Sequence, residues 1–271
     1  MKKLKSTIYF LSCISLLIML NACMPQERVI FTPKRLSHNH QFHFNAPFEE
    51  LNIVNAQGVV LNGLHFYAQN QPKPKGAILF LHGNADNINR WGKYSDLWTK
   101  LGYDFFVFDY QGFGKSGGSI KNEKQLYDDI HLMFQHINQQ FEKNQITIIG
   151  YSIGTGLAAE SAQHFGLQRV ILIAPYFDFH KLAKQKVPFI PSSLIRYKIP
   201  TNEFLSNMVE QNPNTQIIIF HGKKDKIIRV NHSENLSNLL KENVQFWALD
   251  CGHRDILSAD SFNKIMTQYF K

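Results

Sequence analysis

After Lys75 the chain is built from short runs of consecutive apolar residues rather than alternating ones. Gly76–Leu81, Phe105–Asp109, Ile146–Gly150, Val170–Ile173, Ile217–Phe220 and Val244–Leu249 are β-branched or aromatic, as strands covered on both faces by helices are. Helical spacing fills the gaps. It is clearest from Glu123 to Phe141, where Leu126, Ile130, Met133, Phe134, Ile137 and Phe141 recur three or four apart on one face. Strand and helix in alternation predict an α/β architecture with a mostly parallel, doubly wound sheet. Ahead of it, Leu51–Asn55 and Val59–Tyr67, joined through Gln57-Gly58, predict an antiparallel hairpin. One interval breaks the rhythm. Residues 175–213 contain no strand-like run but three internal prolines and apolar side chains from Tyr176 to Tyr197. This predicts a short cap after the sixth strand, whose apolar residues form its own core or line a pocket.

The N-terminus follows a different pattern. Lys2, Lys3 and Lys5 precede an apolar run from Ile8 to Leu20, too short to span a bilayer comfortably, as in a bacterial secretion signal. The run ends in Leu20-Asn21-Ala22-Cys23, which resembles a lipoprotein lipobox with a lipidated cysteine, although Asn21 is a less usual choice there. The expected organisation is therefore a signal peptide over 1–22, a lipidation site at Cys23, a polar tether over 23–47, and one folded domain over 48–271 with 175–213 as its cap. His38-Asn39-His40-Gln41-Phe42-His43 lies in the tether. Without a carboxylate or cysteine to help the histidines, it reads as solvated linker and no metal is expected.

Composition narrows the function. With 44% apolar, 13% aromatic and 18% charged residues the body of the chain should fold. Loss of the three lysines of residues 1–22 lowers the formal charge from +8 to +5. The remaining Lys and Arg are scattered rather than gathered into a stripe, which argues against nucleic acid and leaves anionic lipid headgroups as the better-matched partner. Cys13 leaves with the signal and Cys23 would be acylated, so Cys251 has no disulfide partner; it reads as a small buried filler.

The chemistry lies in the loops after the strands. Gly150-Tyr151-Ser152-Ile153-Gly154 follows a strand and opens a helix of small residues, Thr155-Gly156-Leu157-Ala158-Ala159. This is the G-x-S-x-G pattern of a nucleophile elbow, in which Ser152 sits on a strained turn that leaves no room for a Cβ at either glycine. A hydroxyl needs a base to take its proton. His253, after Val244–Leu249 and the turn Asp250-Cys251-Gly252, is placed for that work; His221, also after a strand, is the nearest rival, ahead of His164, His180 and His232. The base needs an acid to hold its tautomer and stabilise its cation. Asp225 fits, in the loop after Ile217–Phe220, and gives the chain order Ser, Asp, His. Asp250 and Asp255 read as turn and helix-cap residues. An oxyanion needs two N–H donors: Ile153, next to the nucleophile, and Asn84, in the His82-Gly83-Asn84-Ala85 turn after the first central strand, with Ala85 as the alternative. His82 is expected to fix that loop. The glycine-rich Tyr110–Ser116 loop lacks phosphate-loop spacing, so no nucleotide is expected.

Together, His82-Gly83-Asn84-Ala85, Asp109-Tyr110-Gln111-Gly112-Phe113-Gly114-Lys115-Ser116, Gly150-Tyr151-Ser152-Ile153-Gly154, Asp225 and Gly252-His253 resemble the α/β-hydrolase superfamily over about residues 48–271. Within it the chain looks like the short-capped group that includes the eukaryotic α/β-hydrolase-domain depalmitoylases and bacterial lipoprotein hydrolases. The lipoprotein signal departs from the cytosolic or integral-membrane members. The resemblance implies a serine hydrolase of carboxylic esters or thioesters, palmitate esters among them, working as a monomer without a cofactor, and the aromatic-rich cap and the tether favour acyl chains of short to medium length or lipid-derived esters. It also implies a protein tethered to a membrane of the cell envelope, with Met24 compatible with an outer membrane. A peptidase or amidase using the same triad, and a non-catalytic envelope lipoprotein using the fold as a binding module, are the alternatives; every triad position is filled, which disfavours the last.

Overall fold

The structure is a computed structural model that describes residues 26–270. The signal over 1–22 and the lipidation site at Cys23 lie outside the described residues. An eight-stranded sheet runs through the middle of the domain: β1 Phe48–Val54, β2 Val60–Phe66, β3 Ala77–Leu81, β4 Asp104–Phe108, β5 Ile146–Tyr151, β6 Arg169–Ile173, β7 Gln216–Gly222 and β8 Val244–Leu249. Their spatial order is β1-β2-β4-β3-β5-β6-β7-β8. The β1–β2 and β2–β4 pairings are antiparallel and the remainder parallel, which is the predicted doubly wound sheet opened by a hairpin. β1 begins at Phe48 because Phe48 pairs with Phe66 across that hairpin; Leu51, where the apolar pattern starts, is its fourth residue.

The absence of alternation in the sequence follows from two separate cores. Leu79, Leu81, Phe106, Ile148 and Leu172 point to one side of the sheet, while Ile78, Phe80, Phe105, Ile149 and Ile171 point to the other, all buried. Helices α1 (Glu123–Asn138), α2 (Gly154–Phe165), α4 (Thr201–Gln211) and α5 (Asn231–Leu240) cover the first side. The C-terminal α6 (Asp260–Tyr269), with Trp91 and Trp98, covers the second. Asn122 starts α1 by accepting the Gln125 N–H, and the helix ends at Asn138. Phe141 is buried beyond it, in the turn that follows.

Two expectations of the chain's organisation are corrected. Residues 26–47 are not a solvated tether but a strap packed on the domain. Gln26–Ile30 is a short helix, Thr32–Pro33 pairs in parallel with Ala85–Asp86, and the Leu36 N–H donates to Gly114 O. Phe31, Phe42 and Ala46 are buried, Phe31 between the edges of Phe113 and Tyr197. A few widely spaced aromatic anchors hold the strap, and a polar average over the segment hides them. Second, 175–213 is two things. The short α3 (Phe179–Lys186) and the irregular residues up to 200 form an excursion, whereas α4 lays Leu205 and Met208 into the core beside α2 and belongs to the helix layer. Among the described residues no helix is long and apolar enough to cross a membrane.

Candidate active site

β5 runs directly into α2 through a single tight turn, and Ser152 at its apex adopts φ +55°. A left-handed conformation at a residue other than glycine is strained and persists only where its surroundings enforce it. Here they do. A Cβ on Gly150 would lie 2.3 Å from Gly154 O, and one on Gly154 would lie 2.2 Å from Leu81 O, so both glycines are required by backbone contacts. The Ser152 N–H donates to Ile173 O on β6, and Thr155 bonds back to Ser152 O through both its N–H and its hydroxyl.

The loops after β5, β7 and β8 bring the three predicted side chains together. Ser152 Oγ lies 3.1 Å from His253 Nε2, and His253 Nδ1 lies 2.5 Å from Asp225 Oδ2. With a carboxylate at Nδ1, that nitrogen carries the proton, which leaves Nε2 as the acceptor for the serine hydroxyl. All three residues are nearly closed to solvent, Ser152 at 8% exposure. The loop bearing the base is tied down by the Tyr151 hydroxyl, which donates to His253 O at 2.5 Å, and by Asp255, which accepts the Gly252 N–H at 3.2 Å. Asp250 is exposed and pairs with Lys224 at the surface, as a turn residue does.

Asp225 is fixed by more than its histidine. Its Oδ1 accepts the N–H groups of Ile227 and Ile228 at 2.8 and 2.9 Å. Burial pushes its carboxyl up, but hydrogen bonds from His221 and His253, the His253 charge and the Ile228 N–H outweigh burial and hold it well below the usual carboxylate range. His221, the rival base, stands behind the acid instead. Its Nε2–H donates to Ile228 O at 2.8 Å and faces Asp225 Oδ2 at 3.3 Å, while Nδ1 accepts from the Ser233 hydroxyl. With both ring nitrogens committed it is a buttress for Asp225, a role that position after a strand cannot distinguish from that of the base.

The predicted oxyanion donors come from the turns after β5 and β3. Ile153 has αR geometry at the start of α2, and Asn84 follows β3. Among the described residues neither N–H is taken by an acceptor. Asn84 is clamped by the strap: its carbonyl accepts the Thr32 N–H at 2.8 Å, and its side-chain amide donates to Ile30 O at 2.8 Å. Ala85, the alternative donor, lies opposite Thr32 in the parallel pairing of the strap. His82 fixes the loop as expected. Its Nδ1–H donates to Gly83 O at 2.7 Å, its carbonyl accepts the Tyr110 hydroxyl, and its ring packs against those of Tyr110 and Trp91. Complete burial lowers its pKa to about 4, so it is neutral near pH 7. Cys251 is half-buried, and burial pushes its thiol up, away from a reactive thiolate.

The histidines at 38, 40 and 43 do not gather into a cluster of metal-ligating groups. The group that does form among the described residues is His131, Glu160 and His164, where α1 meets α2. There His131 Nε2 bonds to Glu160 at 2.9 Å and the two imidazoles stack face to face, centroids 3.9 Å apart. A hydrogen bond and ring stacking account for this contact.

A nucleophile elbow at the carboxyl edge of a 1-2-4-3-5-6-7-8 sheet, with acid and base from the loops after β7 and β8, defines an α/β hydrolase. A family model described as serine aminopeptidase, S33, matches residues 72–216, more than half of the chain, and the protein belongs to that family of α/β hydrolases. It is similar to an alpha/beta hydrolase of Acanthamoeba polyphaga mimivirus, 24% identical over 88% of this chain and 90% of the viral protein. It is also similar to human alpha/beta hydrolase domain-containing protein 17B, 26% identical over 68% of this chain and 62% of the human one. Among solved structures, an esterase of Pyrococcus furiosus superposes with a TM-score of 0.63 at 18% identity, covering 89% of this chain and 97% of its own. An alpha-beta hydrolase from Vibrio vulnificus gives 0.63 at 19% identity, covering 82% and 78%. The protein is a hydrolase.

Proposed function

We propose that the protein is a serine hydrolase that cleaves carboxylic esters or thioesters through an acyl-Ser152 intermediate. The continuous hydrogen-bonded line from Ser152 Oγ through His253 to Asp225 carries this reading. In the first half-reaction His253 Nε2 takes the Ser152 proton as Oγ attacks the acyl carbon, and Asp225 stabilises the imidazolium. The negative charge on the carbonyl oxygen is met by the N–H groups of Ile153 and Asn84. One such donor is worth about 10²–10³ in rate. The imidazolium then protonates the departing alcohol or thiol. In the second half-reaction His253 takes a proton from water, which attacks the acyl-enzyme and restores Ser152. Every proton is handled by His253, so the scheme calls on no metal or organic cofactor.

Esters and thioesters are favoured by the aromatic and aliphatic side chains of the excursion after β6. The name of the family model favours a second reading, an aminopeptidase with the same triad. Rates on p-nitrophenyl esters of increasing acyl length, on acyl thioesters and on aminoacyl p-nitroanilides, each with a Ser152→Ala control, separate the two. Serine-dependent turnover of the esters with little on the anilides is the expected result; the reverse order would replace the ester reading with the peptidase one. We place the protein, as a monomer, at a membrane of the cell envelope, held by lipid on Cys23. The charge, apolar run and small residue that precede Cys23 support this. Radiolabelled palmitate incorporated by the wild type and lost in Cys23→Ser is the direct test.

A further inference from the structure

Phe189 stands at the tip of the excursion, 97% exposed, with Val187 and Leu194 also open to solvent. An aromatic ring so exposed on a loose loop would mean little, but this loop is held. Lys184 Nζ donates to the carbonyls of Pro188 and Ile190 at 2.8 and 2.6 Å, on either side of Phe189, and His180 Nε2 bonds to Ser192 O at 3.1 Å. The backbone is pinned and the ring points outward. Along the excursion cations predominate: from Phe179 to Pro200 there are five Lys or Arg residues and no Asp or Glu, with Asp178 3.9 Å from Lys181 and Glu27 on Arg196 as the acidic groups facing them. Lys181, Lys186 and Lys198 are exposed among them.

The start of the strap is fastened to the same edge. The Gln26 side chain donates to Leu194 O and accepts the Arg196 N–H at 2.9 Å, while Glu27 pairs with the Arg196 guanidinium at 3.0 Å and accepts the Tyr197 hydroxyl at 2.9 Å. Cys23 and the apolar run Ile8–Leu20 precede Gln26 in the chain. Three residues reach at most about 11 Å. A bilayer holding Cys23 therefore lies within that distance of the basic, apolar edge.

We propose that this edge, with Phe189, Val187 and Leu194 as the inserting side chains and Lys181, Lys186 and Lys198 as their cationic rim, docks on an anionic phospholipid surface. The proposal rests on the envelope reading only for what brings the chain to the membrane. Apolar side chains within a basic rim match the acyl boundary beneath a layer of negative headgroups. Because the strap continues from this edge to Thr32 and its bond with Asn84, docking would set the active-site loops close to lipid, where acyl substrates reside.

The test is the membrane-purified full chain carrying Phe189→Trp, reconstituted in vesicles of phosphatidylcholine with phosphatidylglycerol, part of the lipid being brominated on its acyl chains. Trp91 and Trp98 are buried and Trp247 is half-buried, so unsubstituted protein supplies the background. The expected result is a blue shift and loss of emission from the introduced indole, reduced several-fold by Lys181→Glu with Lys186→Glu and in phosphatidylcholine alone. Co-sedimentation with vesicles while the introduced indole keeps a water-exposed, unquenched spectrum would overturn the docking face and leave the anchor standing. No co-sedimentation and no quenching would overturn both. Emission already blue-shifted without lipid, and unchanged by vesicles, would show that a second copy or residues 1–25 cover the edge, and would overturn the proposal as well. Ester hydrolysis in detergent reports the catalytic reading separately.

Discussion

Asp225 shows how a side chain's work is decided by what its two oxygens meet. One is saturated by backbone N–H groups and the other is shared by two histidines, which leaves a carboxylate that is charged, oriented and unable to swing away. Asp225→Asn should keep the fold but offer an amide where the imidazole N–H needs an acceptor. By analogy with the serine-protease triad a loss of about 10⁴ in kcat is expected, with KM little changed. The elbow glycines make an opposite kind of demand. Gly154→Ala should lower stability by about 2 kcal/mol or more, since its Cβ meets the backbone of β3. Gly117→Ala, whose Cβ would come no nearer than 3.4 Å to Val59, should stay within about 0.5 kcal/mol; denaturant melts of the pair measure the difference. Titration gives a third check. The buried His82 stays neutral when the unfolded chain takes up a proton, so stability should decline as pH falls from about 6.5 towards 4, by up to roughly 3 kcal/mol. Asp225, held down in the folded state, stabilises above the unfolded pKa near 4 and loses that contribution as pH falls further through its folded value. Denaturant midpoints measured against pH should therefore show two acid-side steps, the lower one missing in Asp225→Asn.

At the scale of elements, the strap and the α4 helix carry the differences between pattern and structure. The strands were legible because side chains buried on both faces leave uninterrupted apolar runs, and β3 to β8 lie within about two residues of where those runs fall. The triad was legible because each member follows such a strand. The strap was not, since its pairing with Ala85–Asp86 spans more than fifty residues of sequence and rests on backbone groups that any residue offers. The one local signal was aromatic: Phe31 and Phe42 in a polar stretch. Likewise α4 has an apolar face in the sequence, through Leu205 and Met208, but nothing local tells whether that face meets a cap or the helix after the nucleophile. The strap makes its own prediction. Phe31→Ala removes a buried ring and loosens the clamp on Asn84, so kcat should fall about tenfold or more, a fraction of the loss expected from a missing oxyanion donor. KM should move much less, and Phe31→Leu should restore most of the rate. Parallel losses in kcat and in folded fraction would reduce the strap to a stability element.

For the molecule as a whole, sheet order, elbow and loop placement converge on one function although the substrate is set elsewhere. The fold delivers Ser152, Asp225 and His253 to one point from segments spread over a hundred residues, and the strap begins on the same edge as the excursion. The central claim is that Ser152 is an activated nucleophile, and labelling with a fluorophosphonate probe tests it most directly. The wild type should be labelled stoichiometrically, with no label on Ser152→Ala and slow labelling of Asp225→Asn. A folded wild type that the probe leaves unmodified would contradict the account and turn the domain into a binding module with the appearance of an enzyme.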